Sequence, residues 1–352
     1  MKFNFNKVIV AGPCAVESEK QIMDMAFKIS LIRDIAKPYG IEIKMRGGAW
    51  KPRTLLFKES KEGKNPVFEG LKEDGLKFLA KAAERYNLPL VAEIMSEKDF
   101  PLFEKYLNPA RDYLQIGSRN SQNFSLLSLV GKSKFGVVLK NPQHGVDPIE
   151  VLGSIQRLIH NREVIYCMRG QKRPIVIGNH HSYNSFIQKI HEEKNQHQDA
   201  RNLNNIDAVN ILKKKIGFEN ISFAYDPSHT WGGKSDLMRQ KIGIYSLLAL
   251  TKFEYEWVIV EVNDTSKFSE CDEAQALLTT TNGINWKQTF VGEEPSKKNM
   301  PLTLVDIVHK MIEFQWKYFS DDIKKDQITL THDLKKLNSI RWDSKVRLLL
   351  SK

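Results

Sequence analysis

Eight short runs rich in β-branched residues recur along the chain, and stretches with helical periodicity lie between them; this alternation restricts the fold more than any other feature. The runs are KVIVAG (7–12), IEIKMRGG (41–48), LPLVAEIM (88–95), DYLQIGS (112–118), GVVLK (136–140), EVIYCMRG (163–170), ISFAYDPS (221–228) and WVIVEVND (257–264). Helical patterns fall at 18–37, 71–86, 97–106, 121–131, 148–160, 205–216, 235–251 and 302–319. Strands separated by helices imply a parallel sheet, because a parallel pair needs a crossover. Eight such units close into a (β/α)8 barrel of about 250 residues plus insertions. An open doubly wound sheet is the alternative, but no GxGxxG turn follows the first strand. The expectation is a TIM-barrel domain over 1–319, with an extended polar loop at 171–203 after the sixth strand and a charged C-terminal extension at 320–352. A Gly/Pro/Lys-containing segment, 49–70, follows the second strand. Long loops on that face of a barrel commonly serve as lids.

Composition narrows the function classes. No apolar run approaches the roughly 18 residues that span a bilayer, and the opening MKFNFNKVIV lacks the long apolar core and cleavage site of a signal peptide. The expectation is a cytoplasmic protein with no membrane partner. A net charge of +11 suits either a nucleic-acid surface or a site that collects anions. The basic residues are scattered and form no nucleic-acid motif, so no nucleic-acid partner is expected. Three cysteines, at 14, 167 and 271, are an odd number without CxxC spacing, which argues against a disulfide framework and leaves thiols for chemistry or metal.

In a barrel the reacting groups sit at the C-terminal ends of the strands. Those ends carry Cys14; Lys44 and Arg46, with Lys51 and Arg53 just beyond; Glu93; Arg119; Lys140; Arg169; Asp226 and His229; and Glu261, with Asp272 further along its loop. Cys14, His229, Glu261 and Asp272 offer a thiolate, an imidazole and two carboxylates, a mixed set suited to a divalent ion such as Mn, Fe, Co or Zn. Each has a bland reading alone, as core thiol, capping histidine or surface acid, but four ligand types at one barrel mouth favour a metal. The cations Arg46, Lys51, Arg53, Arg119, Lys140 and Arg169 call for anions, since unpaired buried charge is costly. A substrate pair with a carboxylate and two phosphates fits their number.

The segments AGPCAVES (11–18), RGGAWKPRT (46–54), LQIGSRNSQNF (114–124), VVLKNP (137–142), CMRG (167–170), DPSH (226–229) and VEVND (260–264) occur in order. Together, over roughly residues 7–275, they resemble the type I family of 3-deoxy-7-phosphoheptulonate (DAHP) synthases. That resemblance implies a metal-dependent transferase on a TIM barrel. It would condense phosphoenolpyruvate with erythrose 4-phosphate and water to give 3-deoxy-D-arabino-heptulosonate 7-phosphate and phosphate, the first step of the shikimate pathway toward aromatic amino acids. It implies Cys14, His229, Glu261 and Asp272 as metal ligands. Phosphoenolpyruvate would be held by Arg46, Lys51, Arg119, Lys140 and Arg169, and the aldose phosphate by Arg53 and Thr54; Asp226 belongs to the same substrate-binding set. It further implies Lys51 as the proton donor to the developing alkoxide, Glu93 as a group orienting water, and a homo-oligomer, dimer or tetramer.

Three features depart from the family pattern. VVLKNP stands where many members have LKRG, 171–203 is longer than the usual connection, and Asn263 replaces a frequent His. His180, His181, His191 and His197 lie in that long segment without metal-ligand spacing. Two other readings compete. One is a sibling synthase using another phosphorylated aldose such as arabinose 5-phosphate, although RGGAWKPRT differs from the KANR-type loop usual there. The other is a silent, ligand-sensing barrel, which retention of all four ligands disfavours.

Overall fold

The computed structural model describes residues 6–53, 57–60, 63–144, 148–171, 206, 209, 213, 221–231, 236–263, 276–278, 303–319 and 327–340. Each of the eight runs forms a strand. They are β1 (Lys7–Gly12), β2 (Ile41–Gly47), β5 (Leu90–Ile94), β6 (Tyr113–Ile116), β7 (Gly136–Lys140), β8 (Val164–Arg169), β9 (Ile221–Asp226) and β10 (Trp257–Asn263). They pair in parallel in that order, and β1 returns to β10 from Val8↔Trp257 to Gly12↔Glu261, which closes the barrel. Gly12 sits where a Cβ would lie 2.0 Å from the Arg46 carbonyl oxygen, so only glycine lets β1 and β2 approach this closely beneath the mouth.

Helices cover the outside: α1 (Glu19–Ala36), α2 (Lys72–Arg85), α3 (Phe100–Tyr106), α4 (Phe124–Val130), α5 (Pro148–Gln156), the short α6 (Pro227–Trp231), α7 (Asp236–Thr251) and α8 (Leu304–Phe319). In α1, Ser18 caps the first turn by accepting from the Gln21 amide, and Ile22, Met25, Ile29, Ile32 and Ile35 bury one face at helical spacing. In α8, Thr303 and Asp306 exchange hydrogen bonds across the first turn (Thr303 N to Asp306 Oδ2, 2.9 Å; Asp306 N to Thr303 Oγ1, 3.1 Å).

The structure departs from the pattern-based expectation in four places. The segment after β2 contains a hairpin, β3 (Phe57–Ser60) with β4 (Gly63–Pro66). A two-residue strand, β11 (Leu277–Leu278), pairs in parallel beside the upper end of β10. The seventh run ends as a strand at Asp226, because that residue's carboxylate accepts from the His229 amide at 2.9 Å and starts α6. Within the charged C-terminal stretch, α9 (Gln327–Ser339) buries Leu337 in the main core, and the Tyr39 hydroxyl donates to Asp333 at 3.0 Å. Of the helix expected at 205–216, only 206, 209 and 213 are described, and the long loop expected at 171–203 lies outside the described residues except for Gln171. Among the described residues no helix is long and apolar enough to cross a membrane.

The core has two layers, divided by strand pleat. Ile9, Ala11, Val137, Leu139, Tyr166, Met168, Tyr225, Val258 and Val260 face the helices in the larger cluster. Val8, Val10, Val91, Tyr113, Val138, Ile165, Cys167, Ala224, Trp257 and Ile259 fill the barrel itself. Cys167 is part of this filling, and burial pushes its thiol up to about 12, the state of a packing group rather than a nucleophile.

Candidate active site

Successive side chains on one strand face alternate, so the residue two beyond an inner apolar one also faces inward. This single step carries Val91 to Glu93, Tyr113 to Gln115, Val138 to Lys140, Cys167 to Arg169, Ala224 to Asp226 and Ile259 to Glu261. The apolar filling therefore gives way, one layer higher, to a ring of polar groups at the C-terminal mouth. Lys44 is corrected by the same geometry. It lies two residues below Arg46, is paired with Glu42, and sets its ammonium 4.9 and 5.0 Å from the ring centroids of Tyr113 and Trp257, the first residues of their strands. It belongs to the floor of the barrel and not to the mouth.

Two buried ion-pair systems organise the mouth. Arg46 Nη1 contacts Glu261 Oε1 at 3.1 Å, and His229 Nε2 lies 3.5 Å from the same oxygen. Asp226 Oδ2 receives Lys140 Nζ at 2.6 Å and lies 2.7 Å from His229 Nδ1. Burial would raise the pKa of Glu261, but His229, Arg46 and Lys51 overcome it and pull it down to about 2. Burial is likewise overcome at Asp226, where His229, Lys140 and Arg169 hold the carboxyl well below the usual carboxylate range. His229 is lowered, chiefly by burial, which favours the neutral imidazole at pH 7. Among the described residues of the mouth, Arg46, Lys140 and Arg169 are buried together with the carboxylates of Asp226 and Glu261, and Lys51 and Arg119 add charge from the loops. The mouth is built with an excess of fixed positive charge, suited to an anion.

The loop after β2 leans over this ring. Lys51 Nζ donates to the Cys14 carbonyl at 3.0 Å and approaches Cys14 Sγ at 2.9 Å, two residues past the end of β1. Arg53 Nε donates to the Phe68 carbonyl at 2.7 Å, and Arg119 Nη1 reaches the Pro52 carbonyl at 3.3 Å. Arg119, expected as a buried strand-end cation, stands exposed on the loop after β6, while Lys51 and Arg53 are half-buried. Thr54 and Asp272 lie outside the described residues.

Sequence reasoning missed the polar groups that fix the strand ends. Asn141 donates Nδ2 to the Arg169 carbonyl (3.1 Å) and accepts the Arg169 amide at Oδ1 (2.8 Å), a two-bond clamp that sets Arg169 against Lys140. Thr230 Oγ1 accepts from Gly170 N at 2.8 Å, and Ser228 Oγ accepts from Glu261 N at 2.9 Å. Asn141 was visible only as the odd residue of the KNP triplet, and no spacing rule marks such a clamp.

Among the described residues no three His, Cys, Asp or Glu side chains stand close enough together to hold a metal ion. The donor chemistry of the residues nonetheless fits a divalent cation. Glu261 is ionised, and its Oε2 is buried with no hydrogen-bond partner among the described residues. His229 Nε2 lies 3.5 Å from Glu261 Oε1, so the two residues would offer one divalent ion an imidazole nitrogen and a carboxylate oxygen. Cys14, two residues past the end of the neighbouring strand β1, offers a soft donor.

Comparison with known proteins agrees with this architecture. A family model described as the DAHP synthetase I family matches residues 4–292. A phospho-2-dehydro-3-deoxyheptonate aldolase of Thermotoga maritima is 32% identical over 232 residues, 65% of this chain and 54% of that protein. A 2-dehydro-3-deoxyphosphooctonate aldolase of Francisella tularensis is 29% identical over 171 residues, 46% of this chain and 54% of that protein. The chain thus spans about half the length of these relatives. The crystal structure of the Thermotoga maritima DAHP synthase superposes with a TM-score of 0.57 at 29% identity, covering 78% of this chain and 65% of that one. A truncated form of the Thermotoga maritima enzyme gives 0.55 at 28% identity, covering 78% and 82%.

Proposed function

The chain belongs to the DAHP synthetase I family, and from that membership we propose that it condenses phosphoenolpyruvate with erythrose 4-phosphate and water, releasing phosphate and 3-deoxy-D-arabino-heptulosonate 7-phosphate. The observation that carries this reading is the convergence of buried Arg46, Lys140 and Arg169 at one barrel mouth, beside Cys14, His229 and Glu261. An acid bearing both carboxylate and phosphate is the anion such a cradle suits.

Arg46, Lys140 and Arg169, with Lys51 and Arg119 from the overlying loops, hold phosphoenolpyruvate so that its C3 faces the incoming aldehyde. Asp226 keeps Lys140 in place. Arg53, with Thr54, takes the distal phosphate of the aldose. Cys14, His229, Glu261 and Asp272 would hold a divalent ion, which when bound supplies Lewis-acid polarisation of the aldehyde. C3 attacks the aldehyde carbon, and the Lys51 ammonium gives its proton to the new alkoxide oxygen. The positive charge left at C2 is met by a water whose lone pair Glu93 orients and whose proton it takes. Phosphate then departs from the tetrahedral centre by C–O cleavage, its charge stabilised by Lys140 and Arg169.

Phosphate release from phosphoenolpyruvate, measured with erythrose 4-phosphate and with arabinose 5-phosphate in parallel, tests the reading. The expected result is turnover with erythrose 4-phosphate that a chelator abolishes and a divalent ion restores. The resemblance to the Francisella protein is the one observation favouring the five-carbon acceptor, and preference for arabinose 5-phosphate would replace the proposed substrate. Turnover with neither aldose would defeat both readings.

Arg53 offers a sharper test of substrate assignment. Because it is half-buried on the loop and bonded to its own segment, Arg53→Ala should weaken use of erythrose 4-phosphate by about tenfold or more, the worth of one charge-assisted contact. Calorimetric binding of phosphoenolpyruvate should stay within about twofold. Equal loss for both ligands, or for neither, would show that Arg53 does not read the aldose phosphate.

A further inference from the structure

Glu93 is placed by two neighbours that the sequence did not single out. It lies on β5 in direct register with Gln115 on β6, and facing side chains at register positions are close enough to interact. Gln115 is buried, and its Nε2 donates to Glu93 Oε2 at 3.1 Å. The amide can present only its NH2 end to this carboxylate, because its oxygen would repel it. The other carboxylate oxygen occupies space that a side chain would otherwise fill. Two residues past Gln115 is Gly117, where a Cβ would lie 2.0 Å from Glu93 Oε1.

We infer that Gln115 and Gly117 form a positioning pair for Glu93: the amide grips one oxygen and the bare glycine leaves room for the other, so that the carboxylate is aimed at the water-addition step. This deepens the proposed function and rests on it. Gln115 is a positioning residue, acting through Glu93 rather than on substrate. Its Oε1 is buried with no hydrogen-bond partner among the described residues, a cost that a purely packing side chain at this position would not incur. An apolar residue of similar volume, such as methionine, would fill the same space without that cost, and the bond to Glu93 is what the amide supplies beyond it.

A double-mutant cycle on the full chain decides the matter. Gln115→Met keeps volume and removes the donor; Glu93→Gln removes the carboxylate charge. Gln115→Met is expected to lower kcat by about 10–100-fold, part of what a positioned acid–base group supplies, with the dissociation constant for phosphoenolpyruvate within about twofold of the parent. In the Glu93→Gln background the same substitution should cost no more than about twofold further, because its target is already disabled. Gly117→Ala provides a second route, since its methyl must displace Oε1; it should reduce kcat in the parent and have little effect beside Glu93→Ala. Losses that multiply in either cycle, or a fall in phosphoenolpyruvate affinity that matches the fall in kcat, would overturn the inference by showing a structural or binding role. A Gln115→Met enzyme with parental kcat would do the same. A parent chain that turns over neither aldose would instead overturn the proposed function, and the inference with it.

Discussion

His229→Ala is expected to lower turnover on the order of 10²–10³-fold or more while leaving the fold in place. A supporting residue around a metal is typically worth 10–100-fold, and a direct ligand or charge stabiliser more. The imidazole stands between Asp226 and Glu261, with Nδ1 2.7 Å from the first and Nε2 3.5 Å from the second. Removing it takes away a neutral nitrogen donor and leaves Glu261 still paired with Arg46, and Asp226 still paired with Lys140. No buried charge is orphaned, so the unfolding midpoint should fall only modestly. Cys14→Ala should behave alike, because Cys14 lies beyond the end of β1 and outside the packed layers. Metal content by plasma mass spectrometry after reconstitution with Mn, together with circular dichroism, checks both variants. Parental turnover with parental metal content in either one would remove that residue from the ligand set.

How much of this arrangement was legible without coordinates differed from residue to residue. The eight strands were, because fully buried parallel strands advertise themselves as short β-branched runs between helical stretches. The inward direction of Lys140, Arg169, Asp226 and Glu261 was implicit too, since each stands two residues beyond an apolar residue of the barrel filling. Position along the strand was harder to read. Lys44 and Arg46 share a face and differ by one layer, yet the lower one closes the floor against Tyr113 and Trp257. Arg119 shows a different limit: just past its strand end the loop has begun, and the side chain stands exposed while reaching the Pro52 carbonyl of the loop over the mouth. The helix α9 hides within a lysine-rich stretch whose apolar residues, Leu330, Leu334 and Leu337, recur at helical spacing and could have marked it. Gln115 and Asn141 had no such signal. Their roles depend on what sits opposite in the neighbouring strand, and register is a property of the closed sheet.

Asp226→Asn should be the most damaging single change to stability at the mouth, and comparison with His229→Ala separates the two roles. Asp226 is fully buried at the top of β9 and serves three partners at once: Lys140 Nζ at 2.6 Å, His229 Nδ1 at 2.7 Å and the His229 amide at 2.9 Å. Asparagine preserves shape but not charge. The Lys140 ammonium, itself buried, then stands near Arg169 and Arg46 with the local carboxylate gone. Breaking a buried pair by neutralising one member costs about 3–5 kcal/mol, because the remaining charge has lost its compensation without regaining water. Lys140→Met should cost less, since Asp226 keeps its contacts with His229. The double variant Asp226→Asn with Lys140→Met should recover much of the Asp226→Asn loss, as no uncompensated ammonium remains. Urea titrations with a common slope measure the three differences, provided the transition is cooperative. The ordering would be wrong if Asp226→Asn cost no more than Lys140→Met, or if the double variant were no more stable than Asp226→Asn. Either result would place the counterion of Lys140 elsewhere among the mouth residues. The expected result instead makes Asp226 the anchor that pre-sets both Lys140 for a phosphate and His229 for a cation.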